Sequence, residues 1–122
     1  MRNKKALKKK ADKLWSEIIR QKNNGRCEIC GILADQPHHI IGRSNLTVRW
    51  NVRNGCLLCH LHHTINDNSA HRNPRWFQLW VQQYRLDDYE YLLKKRKEVF
   101  GKDYIKILEY LGKYNIKGEK ND

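Results

Sequence analysis

All four cysteines and all six histidines of this chain fall between positions 27 and 71. The cysteines come as two close pairs, Cys27-Glu-Ile-Cys30 and Cys56-Leu-Leu-Cys59, and His60, His62 and His63 crowd the second pair. In a secreted peptide such pairs would read as two disulfides. Here the start MRNKKALKKK is positive but no uninterrupted apolar stretch follows it, so it does not read as a secretory signal. Two short-spaced Cys/His knuckles in a cytosolic chain read instead as a zinc site. Between the knuckles stand His38 and His39. On a strand, adjacent side chains point to opposite faces, so one imidazole can face an ion while the other faces water. A neutral imidazole is suited to take a proton near pH 7.

Charge narrows the partner. Lysine and arginine number 25 against 13 acidic residues, a net charge of +12, which calls for a polyanion: nucleic acid, an anionic membrane surface or an acidic protein. No apolar run approaches the roughly 20 residues of a membrane span, and the expected location is the cytoplasm.

The elements that must hold these residues are mainly helical. Leu7, Ala11, Leu14 and Ile18, widened by Trp15 and Ile19, make an apolar stripe over 1–24 that Asn23, Asn24 and Gly25 end. The opposite face carries Lys4, Lys5, Lys8, Lys9, Lys10 and Lys13, a run that is either a solvated face or a phosphate contact. Residues 26–73 are irregular, with strand-sized apolar runs at Ile40-Ile41 and Cys56–Leu58. Asn73-Pro74 opens a helix bearing Phe77, Trp80, Val81 and Tyr84. Asp87 or Asp88 is expected to cap a second, stopping near Gly101, and Asp103 a third, ending at Gly112. The tail after Gly112 is polar and expected to fray. The expected fold class is α+β, mainly helical, a single domain over 1–122: a basic helix at 1–25, a metal-rich core at 26–81 and a helical extension at 82–122.

In order, the centre reads CEIC, PHHIIGRSN, RWNVRNG, CLLCHLHH and SAHRNP, followed by Phe77 and Trp80. This order resembles the HNH endonucleases, and especially their small phage-encoded members, over about residues 26–81. The resemblance implies a ββα-metal core with zinc knuckles, gripping one divalent ion, that hydrolyses DNA phosphodiester bonds. It implies His39 as the general base and His38 as a metal ligand, where many members have Asp. His63 would be the family's last His, a ligand on the first turn of a helix, and His71 a further ligand once Thr64–Ser69 loops out. Asn54, which beside Gly55 alone reads as an ordinary turn, would tie the hairpin loop together and help hold the base. Arg43 and Arg49 become candidates to clamp phosphates, with Lys8, Lys9 and Lys10 as further DNA contacts. In phage members such a nuclease works with the terminase, which would make terminase a partner.

The second knuckle admits two registers. In one, Asn51 leads to Cys56 and Cys59 and His60 is the final His; in the other, Asn54 leads to Cys59 and His62 and His63 is final. RWNVRNG resembles the phage members only in the second, which implies Cys27, Cys30, Cys59 and His62 as the structural zinc ligands. The second site, of imidazoles, water and phosphate oxygens, is expected to take magnesium or manganese, with nickel or cobalt as test-tube substitutes. Two rivals remain: a zinc-ribbon protein that holds nucleic acid without cutting, and an interaction protein whose basic helix docks an acidic partner. A pure binder has no use for a second imidazole cluster.

Overall fold

The computed structural model describes residues 3–114; the expected frayed tail lies, from 115 onward, outside the described residues. Helix α1 runs over Lys4–Lys22, where Asn3 Oδ1 caps it by accepting from Lys5 N at 2.8 Å. It stops where Asn24 (φ 53°) and Gly25 (φ 69°) turn left-handed. Its stripe of Ala11, Trp15, Ile18 and Ile19 is buried.

Strands β1 (Gln36–His39) and β2 (Gly55–Leu58) pair antiparallel, with Gln36 opposite Leu58, Pro37 opposite Leu57, His38 opposite Cys56 and His39 opposite Gly55. The strand expected at Ile40-Ile41 lies earlier: Ile40 N still donates to Asn54 O in the register of the ladder, but the Asn54 side chain then takes the Ile41 backbone, its Oδ1 accepting from Ile41 N and its Nδ2 donating to Ile41 O. The connection between the strands holds helix α2 (Leu46–Arg49) and a 3₁₀ turn at Val52–Asn54. After β2 comes a π-turn, Leu61–Ile65, then α3 (Pro74–Tyr84), α4 (Leu86–Lys95) and α5 (Tyr104–Gly112).

Asn73 and Asp103 cap α3 and α5 through Trp76 N and Lys106 N. Helix α4 departs from expectation at both ends. Asp87 and Asp88 stand in its first turn and not at its cap, Asp88 accepting instead from Arg53 Nε and Arg85 Nε. It ends at Lys95, well short of Gly101.

The hairpin lies between two apolar clusters. On one side Leu57 packs with α1, Trp50, Val52 and Leu111 of α5; on the other, Cys56 and Leu58 pack with Phe77 and Val81 of α3. The architecture of the described residues is α+β and mainly helical, with a small two-stranded antiparallel sheet. Among the described residues no helix is long and apolar enough to cross a membrane.

Candidate functional site

Strand alternation sends the two adjacent histidines to opposite sides of the hairpin. His38 faces α3, its ring edge-on to Phe77 at 5.0 Å. His39 faces α1 and stacks flat on Trp15, centroids 4.0 Å apart and planes 7° from parallel. Gly55, opposite His39, makes that approach possible: a Cβ there would overlap Ile19 and press on Trp15. Its φ of −104° is ordinary, so Asn54-Gly55 is no hairpin turn, and the glycine answers crowding from α1.

Two groups of ligand-bearing side chains form. In the first, single ligand atoms of Cys27, Cys30, Cys59 and His62 all lie within 4.8 Å of one another. Cys30 Sγ is 3.8 Å from Cys59 Sγ, and His62 Nδ1 is 3.4 Å from Cys59 Sγ and 4.0 Å from Cys27 Sγ. Zinc bound tetrahedrally at about 2.3 Å to sulfur and about 2.1 Å to nitrogen would separate its ligands by about 3.6 to 3.8 Å. The four are thus close enough to hold a metal ion, and the arrangement is compatible with zinc. Burial alone would raise the Cys27 thiol, but backbone N–H groups of Cys59, Cys30 and Ile29 outweigh it and favour thiolate. Cys56 stands apart in β2, fully buried, and burial drives its thiol far above its ordinary range, which suits a small apolar residue.

The second group is His38, His63 and His71, again within 4.8 Å. His63 sits on the π-turn and not on the first turn of a long helix. The stretch after it does loop out, and Ala70 N and His71 N return to the carbonyls of His62 and His63. That return sets His71 Nε2 3.0 Å from His63 Nε2, near the edge of about 3.0 to 3.4 Å between two nitrogens sharing one ion at about 2.1 Å. Gln36 orients His63: its Oε1 accepts from Nδ1 at 2.7 Å, so Nε2 is the free lone pair turned to His71. Burial, then the neighbouring His63 and His71, push His38 down to about 3, and burial lowers His63 as well, which favours the neutral form of those two rings that metal binding requires.

His39 lies outside that group and is partnered differently. Its Nε2 donates to the Arg49 carbonyl at 2.9 Å. A carbonyl only accepts, so the neutral ring carries its proton on Nε2 and presents an unprotonated Nδ1. Burial, despite the Arg49 bond, lowers it to about 4.

Asn54 is fully buried and fully bonded: Nδ2 donates to Ile41 O and Val48 O, and Oδ1 accepts from Ile41 N. One side chain thereby pins the start of the inter-strand loop to its middle. Arg49, expected as a phosphate clamp, is engaged elsewhere. It is buried, and Asp12 takes its Nε and Nη2 at 3.1 and 2.8 Å. Arg43 is 64 % exposed, with only a 3.5 Å contact to Asp12, and keeps its head free for an anion. Lys9 and Lys10 are exposed on α1, Lys8 half-buried. An apolar cleft lined by Trp50, Tyr91, Phe100 and Tyr110 contains none of the imidazoles.

Sequence reasoning missed Gln36, Trp15 and Asp12. Gln36 was within reach, since it stands two residues before His38 and so on the same strand face. Trp15 and Asp12 contact residues 24 to 38 positions away, and nothing local signals it. Comparison with protein-family models, curated proteins and solved structures found no significant match.

Proposed function

We propose that this protein is a zinc-stapled, metal-dependent DNA endonuclease of the HNH type. The observation that carries the reading is the pairing on one strand of two adjacent imidazoles with different surroundings. His38 joins a three-histidine cluster, and His39 stands on the other face with a free Nδ1. A binding module needs the knuckles and the lysines but not this second set.

Cys27, Cys30, Cys59 and His62 would hold zinc and join the two knuckles. His38, His63 and His71 would hold the second ion. Three imidazoles without a carboxylate suit manganese, cobalt, nickel or zinc better than magnesium, whose sites are built from oxygen. That ion, when bound, neutralises charge growing on the phosphate and on the leaving 3′ oxygen. The rest falls to the chain. His39 Nδ1 accepts the proton of the attacking water as its oxygen bonds to phosphorus and the bond to the 3′ oxygen breaks. Asn54 keeps the loop carrying the Arg49 carbonyl at a fixed distance from His39. Arg43 meets a flanking phosphate, and the lysines of α1 attract the duplex whatever its sequence.

The deciding experiment is plasmid nicking across manganese, magnesium, nickel, cobalt and zinc, with and without EDTA. Cleavage is expected with the transition metals, with little from magnesium and none in EDTA. DNA binding without cleavage under every ion would replace the nuclease with the zinc-ribbon binder. Co-purification of phage terminase is the partner expected by family resemblance.

A further inference from the structure

We propose that helix α1 is part of the catalytic apparatus, with Asp12 and Trp15 as positioning residues for the His39 imidazole. This rests on the reading of His39 as the base. Both residues lie outside the stretch that carries the nuclease resemblance.

Two connections run from α1 to that ring. Trp15 covers one face of it and ties itself to the loop, Nε1 donating to Asn51 O at 2.9 Å. Asp12, one turn earlier, accepts three strong bonds: from Arg49 Nε, from Arg49 Nη2 and from Trp50 Nε1, the last at 2.8 Å. A carboxylate gripping a guanidinium through two parallel bonds fixes direction as well as distance, and here it fixes the end of α2. The Arg49 carbonyl at that end is the acceptor for His39 Nε2. Asp12 therefore sets the carbonyl that sets the tautomer, and Trp15 holds the ring plane. Placement of Asp12 favours this role over handling DNA. It follows Lys8 and Lys9 by four and three residues, on the same helix face, where a carboxylate opposes phosphate. A helix serving only as a basic handle is better without it.

The test uses the full chain with its zinc. Histidine nitrogen NMR reads the His39 tautomer without requiring cleavage, and wild type should show the Nε2–H form. Asp12→Asn should mix the tautomers and lower kcat about ten- to a hundredfold through misplacement of the base, while DNA affinity holds or tightens as a negative charge leaves. Trp15→Leu should do the same; Trp15→Phe, which keeps a ring in the stack, should recover most of the rate. If Asp12→Asn fails to fold, the Trp15 pair still decides. A pure Nε2–H tautomer and wild-type kcat in both Asp12→Asn and Trp15→Leu, or in Trp15→Leu alone where the first does not fold, overturns the proposal. If wild type does not cut DNA at all, the nuclease reading falls, while the tautomer measurement still tells whether α1 orients His39.

Discussion

The two ligand clusters are neighbours in sequence and opposites in chemistry. His62 and His63 are adjacent on one π-turn, yet the first joins three cysteines and the second joins two histidines. The cysteine cluster joins two distant segments, has Cys27 and Cys59 buried, and stacks His62 against Trp76. Four donors are enough to complete a tetrahedron, so an ion held there would have no open position and would serve the fold. The imidazole cluster supplies three donors, with His71 exposed, and an ion held by them would keep positions for water and phosphate under the proposed reading. Two sites can be built from nearly one stretch of chain because a tight turn separates consecutive side chains.

The sharpest way to break this contrast is to remove one ligand from the closed cluster. A structural zinc contributes about 10–16 kcal/mol of apparent folding energy, against a total stability of about 5–15 kcal/mol for an ordinary domain. Cys59→Ser should therefore yield unfolded or insoluble protein without zinc. Cys56→Ser only places a hydroxyl where a thiol was buried, at a cost of about 1–3 kcal/mol, and should keep one zinc per chain by atomic absorption. Equal severity in the two would move the ligand set to the all-cysteine register. A metal-free protein with native circular dichroism would remove the staple altogether.

At the open cluster, and at His39 on the opposite face of β1, the effects should fall on rate rather than fold. His39→Ala is expected to lose cleavage by about a hundred- to ten-thousandfold, the usual worth of a general base, with fold and zinc unchanged. His63→Ala should lose activity through weaker metal affinity, and raising manganese should restore part of it. Restoration of His39→Ala by metal, and not of His63→Ala, would exchange the roles assigned to the two faces of β1.

What the sequence discloses follows the same division. The helices were legible because their stripes and caps are local: Asn73 and Asp103 stand where capping chemistry puts them. The Cys and His sets were legible through the order of their motifs, because knuckle spacing alone left two registers open and the resemblance chose between them. What stayed hidden is what depends on one element meeting another. Arg49 looks like a free phosphate clamp until Asp12, 37 residues away, is found to hold it. Asp87 and Asp88 look like caps until Arg53 and Arg85 claim Asp88. Helix α2 has four residues, too few for any periodicity, and Asn54-Gly55 carries a turn signature in a place where the real constraint is Ile19.

Asn54 offers a finer cut between the clusters, because it pins the loop beneath His39 and touches no cysteine. Asn54→Ala strands the Ile41 N–H and two carbonyls, and leaving a buried polar group unpaired costs about 1–3 kcal/mol. Denaturant melting should show a loss of that order, with one zinc retained and cleavage strongly reduced. Zinc loss in this variant would mean that the closed cluster depends on the loop as well.

The smallest effect expected lies on the basic face of α1, whose lysines belong to neither cluster. Replacing Lys8, Lys9 and Lys10 with alanine preserves the helix, since alanine is its best former, and leaves Asp12 and Trp15 in place. Each phosphate that a lysine neutralises on duplex DNA adds about 0.9 to the slope of log affinity against log salt, so the triple variant should flatten it by about three. Affinity should weaken to a similar degree for unrelated sequences, because phosphate contacts carry no base information. Zinc content and the order of preference among divalent ions should not move, as neither cluster touches these side chains. A slope identical to wild type would assign the three lysines to a solvated face, leaving Arg43 and the metal-bearing face of the hairpin to meet the phosphates. Under that outcome α1 would serve the protein through its apolar side and Asp12 alone.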